Sequence, residues 1–165
     1  MDLNKLTTGD RVIGISGIVL LIASFLDWFK AEYQGQDLGS GNAWDFTIAW
    51  LAVLIGIAMV VIVLVRAADV NMGDAPWALI LLIMGVVAFA FVLIKLIAGV
   101  DTGNPLGVDV DVKRQVGLFI GLVASAGLAV GAWLNFQASG GTLPGMGGGS
   151  GRGTAPPPGG GGPTV

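Results

Sequence analysis

Residues 77–98 read WALILLIMGVVAFAFVLIKLIA, 22 positions that hold a single ionisable side chain, Lys95. A helix on the surface of a soluble domain carries a polar stripe at 3.6-residue spacing, and this stretch has none. As a helix it would extend ~33 Å, enough to cross the ~30 Å hydrocarbon layer of a bilayer. Gly73-Asp74-Ala75-Pro76 precedes it, and Pro76 suits a first helical turn, where its missing N–H costs nothing. Three further apolar runs of similar length occupy residues 12–29, 46–65 and 116–136. The sequence therefore predicts an all-α, polytopic membrane protein, a bundle of four transmembrane helices over residues 1–137.

Composition points the same way. Over 165 residues, 54% are hydrophobic, 12% are charged and the mean hydropathy is +0.82. A soluble domain carries about 25% charged residues, and one of this size could not hide so much apolar surface from water. Lys5 and Arg11 ahead of the first run resemble the start of a signal peptide. The run is long for a signal segment, however, and Asp27-Trp28-Phe29-Lys30 is no small-residue cleavage site, so a retained helix is expected. Residues 138–165 are dominated by glycine and proline, have almost nothing to bury, and read as a disordered tail that is either a solvated end or a tether for a partner.

The absence of both cysteine and histidine removes disulfides, thiolate nucleophiles, Cys/His zinc sites and the commonest general base. No Gly-rich phosphate loop, Gly-x-Ser-x-Gly or HExxH motif is present. We expect no catalytic residues, no cofactor and no metal. The net charge of −3 leaves no basic footprint for nucleic acid.

Four crossings bring both ends of the body to one side. The Lys/Arg count is tied: Lys5, Arg11, Arg66 and Arg152 on that side, Lys30, Lys95, Lys113 and Arg114 on the other. Lys5 and Arg11 before the first helix, against Lys30 alone after it, break the tie towards cytoplasmic termini in a bacterial plasma membrane. In that orientation Trp28, Phe29, Trp44, Phe46 and Trp50 form an outer aromatic belt, and Trp77, Trp133 and Phe136 an inner one.

Candidate functional residues fall into three groups. On the fourth helix Gly117, Gly121, Ser125 and Ala129 recur every four residues, with Gly127 and Gly131 as a second small-xxx-small pair. Such stripes let helices approach closely, either within the bundle or towards another subunit. Asp27 and Lys95 are ionisable residues inside the apolar runs near the outer ends, and form an interfacial ion pair if the first and third helices are neighbours. The outer loops hold Asp37, Asp45, Asp101, Asp109 and Asp111 without the spacing of an EF-hand. Val108-Asp109-Val110-Asp111-Val112 alternates with the period of a strand and reads equally as an irregular loop or as a small extracytoplasmic β element against residues 33–38.

Leu6-Thr7-Thr8-Gly9-Asp10-Arg11 leading into the first helix, Asp27-Trp28-Phe29 closing it, and Asn42-Ala43-Trp44-Asp45-Phe46 leading into the second resemble the short four-helix membrane proteins of actinobacteria. The Gly/Pro-rich tail on a Val/Ala/Gly-heavy body adds to the resemblance, which implies the fold and no particular activity. The layout is also similar to that of claudin-like proteins, but the cysteine pair of their first outer loop is missing here. The expected function is non-enzymatic: an accessory or scaffolding subunit whose partners are the lipid bilayer and other membrane subunits, or a second copy of itself. The alternative is a small oligomeric transporter or channel. A conduction path needs polar side chains along one helical face, and Ser16, Ser24, Thr47 and Ser125 are scattered.

Overall fold

The computed structural model describes residues 6–68, 70, 75–99 and 111–141. Four helices make up most of them: α1 (Thr8–Ala23), α2 (Thr47–Ala67), α3 (Trp77–Ala98) and α4 (Val116–Ala138). Strands β1 (Phe29–Tyr33) and β2 (Gln36–Gly41) lie between α1 and α2, and β3 (Asp111–Arg114) leads into α4.

Each helix end has a local cause. Thr7 caps α1, its hydroxyl accepting from the Asp10 N–H while the Asp10 carboxylate accepts from the Thr7 N–H at 3.1 Å. This reciprocal pair satisfies donors that the first turn would otherwise leave open. Pro76 stands at the N-cap of α3, and Gly99, at φ 68°, ends it in a conformation that favours glycine. The Arg114 side chain donates to the Leu96 carbonyl at 2.9 Å and so covers one of the open acceptors at the α3 C-terminus.

The first helix corrects the sequence reading, which carried it from 12 to 29. It starts at Thr8 and stops at Ala23. The last carbonyls find donors outside the helix: the Ser24 hydroxyl bonds the Leu21 carbonyl at 2.6 Å and the Trp28 indole N–H bonds that of Ala23 at 2.8 Å. With those acceptors spent, residues 24–28 turn and the chain enters β1.

The helices pack as a ring. α1 lies against α2 and α4, α3 lies against α2 and α4, and α1 and α3 face each other across the diagonal. Neighbours are antiparallel: Gly9 at the start of α1 meets Gly131 and Asn135 late in α4, while Leu26 and Asp27 beyond α1 meet Gly117 at the start of α4. One core cluster, around Ile13, Leu20, Met59, Leu81 and Leu128, fills the bundle; a second, around Trp28, Phe29, Val53, Val92 and Leu118, fills the end under the sheet.

The sheet is three-stranded and antiparallel, in the order β2-β1-β3. Gln34, at φ 49°, and Gly35, at φ 79°, form the two-residue turn of the β1–β2 hairpin, the left-handed geometry that matches strand twist. Leu38 is the extra residue of a bulge, since Ala31 pairs with Gly39 and Glu32 with Asp37. Of the two readings the sequence left open over 108–112, an irregular loop or a β element against 33–38, a strand is observed from Asp111, paired with β1 so that Val112 stands opposite Ala31. Residues 108–110 and the tail from 142 lie outside the described residues.

The outer faces of the bundle are apolar. Ile15 on α1, Val61 on α2, Ile83 on α3 and Val123 on α4 are all at least half exposed. Helices apolar on both buried and exposed faces suit a lipid surround. Three of the four, α2, α3 and α4, are long and apolar enough to cross a membrane.

Candidate functional site

The small residues of α4 are taken up inside the bundle. A Cβ at Gly117 would lie 2.6 Å from the Asp27 carbonyl and 2.8 Å from the Trp28 ring, and one at Gly121 would lie 2.9 Å from that ring. The two glycines thus form a slot for Trp28, which is fully buried. Gly127 abuts Ser16 of α1, Gly131 abuts the Gly9 carbonyl, and Ala129 sits beside Gly85 of α3. Ser125 is buried and donates to the Leu122 carbonyl at 2.9 Å. The four glycines and Ala129 therefore face α1, α3 or the Trp28 turn.

Trp28 and Phe29 are both buried and do not form part of an outer belt. Trp44 and Trp133 remain well exposed, and the Trp44 indole donates to Ser24 at 3.2 Å.

The structure does not pair Asp27 with Lys95. Each side chain finds other partners. The Ser40 hydroxyl donates to Asp27 at 2.7 Å. The Lys95 ammonium lies 4.2 Å from the centroid of Phe46 and 5.5 Å from that of Phe29, two rings stacked edge-to-face. A cation over aromatic faces gains ~0.5–1 kcal/mol at such partly open sites. Lys95→Met, which keeps the aliphatic packing, should therefore lower stability by no more than about 1 kcal/mol in a detergent unfolding titration.

On the sheet, like charges stand directly opposite each other, Lys30 beside Lys113 and Glu32 beside Asp37 and Asp111, and opposite charges meet on the diagonals. Lys30 of β1 pairs with Asp37 of β2 at 2.8 Å, and Lys113 of β3 pairs with Glu32 of β1. The hydrogen bond to Asp37 holds the Lys30 pKa above its ordinary 10.5, and that to Glu32 does the same for Lys113. A lysine whose pKa rises on folding stabilises the fold fully below its unfolded value and loses that contribution as pH climbs through the folded value. Hydrogen exchange of the β1–β3 pair should speed up only above about pH 10.5, beyond the intrinsic base catalysis of exchange. Asp45 accepts from the Asn42 N–H at 2.8 Å and fixes the 3-10 turn before α2. Asp111 is exposed in β3, and Asp101 and Asp109 lie outside the described residues. No carboxylate cluster suited to a metal is present among the described residues.

The opposite end of the bundle holds a polar knot that the sequence reading missed. Asp10 and Asn135 are each 5% exposed. The Asn135 side-chain amide donates to Asp10 at 2.7 Å, its carbonyl oxygen is bonded to the Thr7 hydroxyl, and Arg66 of α2 stands 3.7 Å from Asp10. The knot joins three helices at one level. Asp10 looked like a flanking residue because its partners are 56 and 125 positions away. The one local signal was its place three residues after Thr7, the spacing of a capping box. Asn135→Leu keeps volume but leaves the buried carboxylate short of a donor, and should cost ~1–3 kcal/mol, read as a lowered thermal midpoint in mild detergent.

Between these ends the interior is apolar. Among the described residues the buried polar side chains are Asp10, Ser24, Ser125 and Asn135, and only Ser125 lies near mid-helix. No protein-family model matches the chain, and no curated protein is similar to it.

Proposed function

We propose that this chain is a non-enzymatic integral protein of the bacterial plasma membrane and serves as an accessory or scaffolding subunit of a membrane complex. In this reading α1 is the fourth crossing. Its 16 residues extend only ~24 Å, and the turn at residues 24–28 completes the passage. The antiparallel packing of α1 on α2 and α4, both long enough to span, supports that passage. The sheet then faces the outside, and the polar knot lies at the cytoplasmic level, with Lys5 and Arg11 on the same side.

The observation that carries the reading is the apolar middle of the bundle. A conduction path would need polar groups in series through the bilayer centre, and a lone buried serine bonded to its own helix supplies none. What the chain offers to others is surface: apolar helix faces in the lipid plane, and an outer sheet whose edge strand β2 is exposed almost throughout. The test is purification from the native host in mild detergent, followed by identification of whatever co-purifies. Reproducible foreign membrane subunits are the expected result. A homo-oligomer without them would contradict the accessory role and favour a small oligomeric transporter or channel.

A further inference from the structure

Two aromatic side chains stand exposed just past the end of α1. Phe25 is 65% and Trp44 39% exposed, their ring centroids are 5.9 Å apart, and Leu26 and Ile48 add to the exposed apolar surface. Interfacial tryptophans sit at headgroup level because the indole N–H wants a partner there. That of Trp44 is already satisfied inside the protein. It donates to the Ser24 hydroxyl at 3.2 Å, and Ser24, fully buried, donates in turn to the Leu21 carbonyl at 2.6 Å. The Ala43 N–H donates to the Ser24 carbonyl at 3.2 Å and ties the 3-10 turn that carries Trp44 down to the end of α1.

Helix register gives the depth of that tie. Gly56 of α2 abuts Leu20. In this antiparallel pair Ser24 therefore stands level with about residue 52, roughly five residues or ~7 Å inside the α2 start at Thr47. On the other flank Gly127 of α4 abuts Ser16, and Gly117 abuts Asp27. Ser24 is thus level with about residue 119, roughly three residues or ~5 Å inside the α4 start at Val116.

We infer that the Phe25–Trp44 patch is sunk in the hydrocarbon of the outer leaflet, where it docks on lipid acyl chains rather than on headgroups. As spans, α2 and α4 have little length to spare, ~31 and ~34 Å against ~30 Å of hydrocarbon. A level ~5–7 Å inside both of their starts accordingly falls below the headgroups. The patch also carries the exposed apolar face of α1, at Ile18 and Ile22, on past Ala23. It so supplies the apolar height that a 16-residue helix lacks in a bilayer of that thickness. The inference rests on the crossing of α1, α2 and α4 and adds to it the depth of the turn between α1 and β1.

The test uses the full chain in phosphatidylcholine vesicles, with a nitroxide label on single cysteines, since the chain has none of its own. Phe25→Cys reads the patch, Ile18→Cys a deeper level of α1, and Asp37→Cys the outer sheet. Collisions with oxygen, which partitions into hydrocarbon, are compared with those of a nickel chelate confined to water. The label at 25 is expected to match that at 18, with oxygen dominant, and to differ from that at 37. Nickel access at 25 with oxygen dominant at 18 would overturn the inference and leave the crossing of α1 intact. Nickel access at both positions would overturn the crossing and the inference together. A label at 25 shielded from both reagents would reveal a protein cover in place of lipid, and would overturn it too. Because Phe25→Cys removes one ring of the pair, the Trp44 emission, taken as the component lost in Trp44→Phe, supplies a second reading. It should be quenched by lipids brominated along the acyl chain and unchanged by acrylamide, and quenching by acrylamide instead would contradict the inference.

Discussion

Gly131→Ile is expected to prevent α1 and α4 from closing, with a loss of about 3 kcal/mol or more in stability. The reason is what a side chain there would meet. A Cβ would lie 2.9 Å from the Gly9 carbonyl oxygen and 2.9 Å from the Ile13 N. Both are backbone atoms and cannot rotate away, so the helices must separate. Separation also pulls Asn135, one turn on, away from Asp10 and Thr7, and removes the knot as well. A lowered midpoint in detergent-denaturant unfolding, followed by circular dichroism, would register the effect. Gly14 on α1 provides the control, since nothing lies within 4 Å of its added Cβ. Gly14→Ala should leave stability unchanged or raise it by up to ~1 kcal/mol through helix propensity.

Trp28→Ala is expected to cost ~3–5 kcal/mol, the range for emptying a large buried aromatic site. Trp28 fills the slot made by Gly117 and Gly121 and donates to the end of α1, so its loss frees the sheet from the bundle as well as leaving a void. Two readouts separate these effects. The unfolding midpoint reports the void, and trypsin cleavage at Lys30 and Arg114 reports detachment of the sheet. Trp28→Phe keeps most of the packing and removes only the donor to the Ala23 carbonyl, so a loss nearer ~1 kcal/mol is expected.

The parts of the fold that were legible are those written in contiguous residues. α3 runs from Trp77 to Ala98 between Pro76 and Gly99, and an unbroken apolar stretch between two helix punctuators carries its own boundaries. The bounds of α2 and α4 came within two residues for the same reason. The end of α1 did not. Residues 24–29 read Ser-Phe-Leu-Asp-Trp-Phe, apolar enough to continue a helix, and hydropathy says nothing of where the last carbonyls find donors. That depended on a glycine slot nearly a hundred residues away. The β1–β2 hairpin was hidden because its turn is Gln34-Gly35 rather than the Asn-Gly or Asp-Gly that announces such turns. As for the candidate site, spacing located the small-residue stripe but not the side it faces. Spacing put Asp27 and Lys95 near the same end of the bundle but not their partners, which are Ser40 for the first and the Phe29 and Phe46 rings for the second. The Asp10–Asn135–Arg66 knot is a meeting of three distant segments, with only the Thr7–Asp10 spacing visible beforehand.

In the proposed topology α1 crosses the membrane and sets the outer sheet on the side opposite the start of α1 and the end of α4. Because the chain has no cysteine, single cysteines report their own side without background. Thr8→Cys, Asp37→Cys and Ser139→Cys should be labelled in intact cells with a membrane-impermeant maleimide, before and after permeabilisation. Four crossings predict labelling of position 37 from outside, and of positions 8 and 139 only once the membrane is opened. Positions 8 and 37 reacting from the same side would contradict the account, because α1 would then not cross.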